Sequence, residues 1–97
     1  MILGVDVHKH THTAGLLDPA SGEISALTFA NSPDGIARLR SWLADRGGTE
    51  AVVGIENAAG YGRLLAAALI AAGNEVLTVP SWRTHATATS SVRATVS

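Results

Sequence analysis

The order in which strand-like and helix-like stretches follow one another constrains this chain most. Ile2 to Val7 is a short apolar run broken by Gly4 and carrying Asp6 near its end. Apolar residues at both parities make it read as a central strand. Thr11 to Leu17 resumes the pattern after His8-Lys9-His10, a spacing that predicts a tight hairpin. Asp18-Pro19-Ala20-Ser21-Gly22 is a turn, with Pro fixing φ and Gly supplying positive φ. Glu23 to Ala30 then reads as a third strand, Ile24, Ala26, Thr28 and Ala30 alternating with Leu27 and Phe29.

A helix begins at Ser32-Pro33-Asp34, an N-cap, a proline at the first helical position and an acid in the first turn. Ile36, Leu39, Trp42 and Leu43 form its apolar stripe, and Gly47-Gly48 ends it. Ala51 to Ile55 is a fourth strand ending in Glu56, and Asn57 to Gly60 loops into a second helix from about Tyr61 to Ala72. That helix is apolar almost all round, which predicts that it is well covered. Glu75 to Val79 is a fifth strand, closed by Pro80. Ser81 to Ser97 is mostly Ser, Thr and Ala with no defensible period, and reads as a loop or poorly ordered tail. The expected division is a domain over 1–80 and a tail over 81–97.

Three hairpin-linked strands followed by two helical crossovers predict an α/β fold with a mixed five-stranded sheet in the order 3-2-1-4-5. Strands 1, 4 and 5 are parallel in it. Right-handed crossovers that step in one direction put both helices on the same face, so the opposite face is expected to be bare. The chain has 97 residues, 46% of them hydrophobic and 15% charged, which is globular composition and excludes wholesale disorder. With no cysteine, disulfides, thiolate zinc sites and thiol nucleophiles are excluded, and a reducing cytoplasm is the expected location. The longest apolar run, Leu64 to Ala72, falls far short of the roughly twenty residues a membrane span requires. Net charge is −1, without the basic excess of a strong nucleic-acid binder. All eight carboxylates lie at or before Glu75, and only Arg83 and Arg93 carry charge after it.

In the expected sheet, Asp6 and Glu56 end adjacent parallel strands about 4.8 Å apart and reach one carboxyl-end edge, where open α/β sheets bind ligands. Two carboxylates that close repel unless a proton or cation intervenes. Hard oxygen ligands suit Mg²⁺ or Mn²⁺, which keep water and take further ligands from phosphate. Asp6 and Glu56 are therefore candidate metal and catalytic residues for phosphodiester chemistry, beside the plainer reading that strand ends carry polar residues. Asp6, His8, His10 and His12 alternate, but the hairpin interrupts the strand, so a solvated His-rich turn is expected rather than a zinc site. His8 or Lys9 at that turn could contact a phosphate. Gly60-Tyr61-Gly62 before a helix could leave N–H groups for a phosphate, although flexibility there explains it as well. Arg83 and Arg93 are a weak electrostatic footprint for nucleic acid.

Gly4-Val5-Asp6-Val7-His8-Lys9, Thr11-His12-Thr13-Ala14 and Leu17-Asp18-Pro19-Ala20-Ser21-Gly22-Glu23 together resemble the opening of the DEDD-type transposases. These belong to the bacterial insertion-sequence group one hundred and ten and include the Piv-type DNA invertases. Ile55-Glu56 with Gly60-Tyr61-Gly62 resembles that family's second motif, and Val79-Pro80 with Trp82, Thr84 and His85 the stretch after its fifth strand. The resemblance implies a RuvC-like, ribonuclease-H-like domain whose four acids bind Mg²⁺ for DNA strand cleavage and exchange. It also implies a later domain with a catalytic serine, a guide RNA and a homo-oligomer. By resemblance Asp6 is the first acid and Glu56 the second, with His8, Lys9, Tyr61 and Arg83 as candidate nucleic-acid contacts.

The sequence departs from that pattern in three places. Position 10 is His where an acid is frequent, the basic run expected after the fifth strand is largely Ala, Thr and Ser, and no Lys-Ser-Asp-x-x-Asp segment follows. The expectation is a truncated transposase N-terminal region, inactive alone, lacking the helix that carries the third and fourth acids and covers the bare face. Two other classes stand beside it: an actin-like ATPase or sugar-kinase lobe, whose first strands share the topology but which bulky Val7, His8 and Lys9 after Asp6 disfavour, and a non-catalytic interaction module that uses the bare face for dimerisation.

Overall fold

Two hairpins open the chain, and the computed structural model, which describes residues 1–79, shows what fixes each. The strand β1 (Ile2–Val7) turns through Lys9-His10 into β2 (Thr11–Leu17), where His8 N–H donates to Thr11 O at 3.1 Å. The second turn leads into β3 (Ile24–Ala30); Asp18 Oδ1 accepts from Ala20 N–H, Asp18 O accepts from Gly22 N–H, and Gly22 takes φ of 76°. Only a residue without a Cβ adopts that angle without strain.

Next come α1 (Pro33–Asp45), β4 (Val52–Glu56), α2 (Arg63–Ala71) and β5 (Val76–Val79). Ser32 caps α1 as expected, its side chain accepting from Gly35 N–H. The sheet order is β3-β2-β1-β4-β5, with β1–β4 and β4–β5 parallel and the two hairpins antiparallel. The expected topology is the observed one. The expected tail over 81–97, and Arg83 within it, lie outside the described residues.

One core joins both helices to one face of the sheet. Leu3, Val5, Ala14, Leu16, Phe29, Val53, Ile55 and Val76 meet Ile36, Leu39 and Leu43 of α1 and Leu65, Ala66 and Leu69 of α2. The other face has no cover among the described residues. β1 is central in the sheet, yet Ile2 is 51% exposed and Gly4 and Asp6 are exposed; Ile24 on β3 is 72% exposed. A central position therefore does not bury both faces here, because both crossovers run on the same side.

α2 differs from its expectation. It is shorter at both ends, running Arg63–Ala71; its N-cap, Gly62, gives no side-chain hydrogen bond, and only one stripe of it is buried. Leu64 is 46% exposed and Ala67 and Ala71 face outward. Small alanines make the helix apolar in composition without requiring a partner for each side. Trp42 packs against the core while half-buried, and the Arg46 guanidinium lies 4.5 Å over its ring.

Candidate functional site

Register puts the uncovered face into three rows. Gly4 pairs with Gly15 on one side and Gly54 on the other, so three glycines run side by side across β2, β1 and β4. On one flank lie Ile2, Leu17, Ile24 and Val52; on the other, Thr28, Thr13, Asp6 and Glu56. Thr13 and Thr28 share a hydrogen bond between their hydroxyls at 3.2 Å. Gly4 and Gly54 of that row form the floor of an open concavity of about 470 Å³ that both acids, Thr13 and Val79 also line. A Cβ at Gly4 meets nothing within 4 Å, and one at Gly54 only Val79 Cγ2 at 3.9 Å.

Asp6 and Glu56 come together as the strand reading expects. Val5 pairs with Ile55, and each acid is the next residue on its strand. Immediately after Glu56 the chain turns sharply: Asn57 has φ of 53°, the only positive φ outside glycine among the described residues. Its N–H donates to Val79 O at 3.1 Å and its O accepts from Gly60 N–H at 3.0 Å. Asn tolerates this left-handed conformation better than most residues, at a cost of about 1 kcal/mol or more.

The His-rich turn is solvated at two of its positions, as expected. His8 and His10 are exposed, and His8 Nε2 lies 3.2 Å from Asp6 Oδ2. Both side chains of that pair face water, so it contributes little to stability. His12 does the opposite and is buried on the helix-covered face. Among the described residues no group of three or more His, Cys, Asp or Glu is placed to hold a metal ion.

Lys9 sits exposed at the hairpin tip, and Tyr61 is exposed in the loop before α2. Asn31 links them, its Nδ2 donating to Lys9 O at 3.1 Å and to Tyr61 O at 3.2 Å. Within Gly60-Tyr61-Gly62, Gly62 is packed against the sheet while Gly60 and Tyr61 are exposed: a Cβ on Gly62 would lie 2.8 Å from Ile55 Cγ2 and 3.2 Å from Val7 Cγ1. Turn bonds run from Gly60 N–H to Asn57 O and from Arg63 N–H to Gly60 O. Gly62 lets the loop approach the sheet. A second cavity, about 180 Å³ between the helices beside Arg40, Thr49 and Asn74, contains no carboxylate.

Sequence reasoning missed Thr13, the glycine row, Asn31 and the burial of His12. Counting outward from a two-residue Lys9-His10 turn finds Thr13 opposite Asp6, but Asn31 reaches Lys9 and Tyr61 only through tertiary folding.

A mixed sheet in this order, with two helices on one face and two acids at the carboxyl edge of parallel strands, is the arrangement of a ribonuclease-H-like α/β domain. A family model described as a transposase, that of the IS110-type DEDD enzymes, matches residues 3–95. The chain belongs to that transposase family. No curated protein matches it. No helix among the described residues is long and apolar enough to cross a membrane.

Proposed function

We propose that this chain supplies the first half of the acidic centre of a DNA transposase, with Asp6 and Glu56 as its first two acids. The observation that carries the reading is their placement on adjacent parallel strands, on the open face beside a glycine floor. Family membership makes DNA the partner; strand cleavage and exchange, a guide RNA and homo-oligomeric assembly belong to the same reading. Residues 1–80 are the unit that carries this half-site.

Asp6 and Glu56 fit a divalent metal of the Mg²⁺ or Mn²⁺ class. Both offer only hard oxygen, and the concavity beside them is open enough for water and phosphate ligands. When bound, such an ion polarises a phosphodiester and activates the attacking oxygen. Asp6 and Glu56 hold one side of its coordination shell. The glycine floor lets a sugar-phosphate backbone approach the sheet closely. His8 and Lys9, on the turn that follows Asp6, and Tyr61, on the loop that follows Glu56, are the proposed nucleic-acid contacts; Arg83 is proposed from sequence alone.

Two carboxylates bind Mg²⁺ weakly, and no Asp or Glu follows Glu75 in these residues. The 97-residue polypeptide is therefore expected to be inactive alone. The test pairs binding with cleavage. Asp6→Asn and Glu56→Gln each weaken Mn²⁺ binding about tenfold or more, as loss of one of two charged ligands implies. Mg²⁺-dependent DNA cleavage by the polypeptide is undetectable. Cleavage that disappears in Asp6→Asn would show that two acids suffice, and Mn²⁺ binding indifferent to both substitutions would overturn the site.

A further inference from the structure

His12 is the one polar or charged residue in the buried core among the described residues, with 0% of its surface exposed. It sits on β2 between Val7 and Phe29, whose ring meets it edge-on at a centroid separation of 5.5 Å. An imidazole in such surroundings is costly unless both nitrogens are used. Nδ1 lies 3.3 Å from the His8 nitrogen and accepts a share of the N–H that also donates to Thr11 O at 3.1 Å; a ring that accepts at Nδ1 carries its proton on Nε2.

Nε2 has no hydrogen-bond partner, and the other buried side-chain atom without one among the described residues is Asn31 Oδ1. The first is a donor and the second an acceptor. Asn31 cannot turn its amide round without losing the two bonds from Nδ2 to Lys9 O and Tyr61 O. Its backbone N–H is fixed as well, donating to His10 O at 2.9 Å. Burial pushes the His12 pKa below its ordinary 6.5, whereas the Asn31 side chain acts in the other direction, as a nearby acceptor does.

The geometry points to a clamp in which His12 Nε2–H donates to Asn31 Oδ1, so that the pair ties the turn after Asp6 to the loop after Glu56. His12 holds the turn through His8 N–H, and Asn31 holds it through Lys9 O and His10 O. Asn31 alone reaches across to Tyr61 O. The two chain segments that leave the acids are thereby held at a fixed separation from inside the protein. His12 and Asn31 are positioning residues: neither faces the concavity. Their role rests on the proposed pairing of Asp6 with Glu56, but the clamp itself is a separate physical claim.

The test is NMR on the ¹⁵N-labelled 97-residue chain. His12 is expected as the Nε2–H tautomer, with a ring proton protected from exchange. Asn31→Ala speeds exchange of that proton about tenfold, the scale of one buried hydrogen bond. It also makes Mn²⁺ broaden Asp6 and Glu56 unequally, where in the wild type it broadens both. An Nδ1–H tautomer, or ring-proton exchange unchanged in Asn31→Ala, overturns the clamp. Were Asn31→Ala not to fold, the wild-type tautomer and ring-proton protection still decide. Mn²⁺ broadening that ignores Asp6→Asn would instead sink the acid-pair reading and leave the tautomer result to judge the clamp.

Discussion

Asp6 and Glu56 stand side by side because Val5 pairs with Ile55 across β1 and β4 and each strand carries its acid one residue further on. Their proximity thus depends on the register of a parallel pair that is closed by a helical crossover; the chain turns sharply at Asn57 directly after Glu56, and at Lys9-His10 a short way after Asp6. Substitutions that disturb the register or those turns separate the acids even when both side chains remain.

Gly35 in the first turn of α1 is packed against the end of β3, where a Cβ would overlap the Ala30 carbonyl. Gly35→Ala must push the helix away from the sheet. The expected loss is about 2–3 kcal/mol, the upper end for overpacking, read as a lowered thermal midpoint. An unchanged midpoint would show that the helix start moves freely.

Gly4 is the opposite case, because a Cβ there enters open space. Gly4→Val removes a strand-interior glycine and is expected to stabilise by about 0.5–1 kcal/mol, while filling the floor beside the acids. Circular dichroism melts check the first effect. A destabilised variant would mean that something covers this face in solution.

Asn57 is expected to tolerate glycine and to reject β-branched residues, since its φ is 53°. Asn57→Val should cost about 1–3 kcal/mol and disturb the Glu56 amide shift, whereas Asn57→Gly should stay within about 0.5 kcal/mol of wild type. Chemical denaturation of the two variants separates these outcomes. Equal stability of both would show that the turn relaxes to another conformation.

His12 makes stability depend on pH. Its pKa is lowered from 6.5 chiefly by burial, with His8 adding to the effect. The unfolded chain binds this proton more readily than the native one, so acid favours unfolding. The contribution is complete above about pH 6.5 and is lost as the pH falls through the depressed native value. Urea midpoints should fall between about pH 7.5 and pH 5, and the slope should flatten in His12→Leu. A wild-type midpoint constant over that interval contradicts the buried neutral ring.

Much of this was legible before the structure because local signals agreed with one another. Ser32-Pro33 started α1, Gly22 and Gly47 stood at positive φ, and alternation in Glu23 to Ala30 separated Phe29 from Ile24. The juxtaposition of Asp6 and Glu56 followed from topology, since the right-handed crossover rule leaves few places for β4. Burial was less legible. Apolar composition predicted cover over α2 that only Leu65, Ala66 and Leu69 have in full, with Ala68 and Ile70 covered in part, because periodicity cannot tell an alanine that packs from one that is merely tolerated. His12 looked like its neighbours His8 and His10, and only the pleat of β2 distinguishes it. Asn31 carried no local signal, as its partners lie 22 and 30 residues away.

The central claim is that Asp6 and Glu56 act as one oxygen site for a divalent cation. Titrating Mn²⁺ into the ¹⁵N-labelled chain and mapping paramagnetic broadening tests it most directly. The account predicts broadening centred jointly on Asp6 and Glu56, extending to Gly4, Thr13 and Gly54, and lost in either Asp6→Asn or Glu56→Gln. Broadening centred on one acid alone, or unchanged by both substitutions, would contradict it.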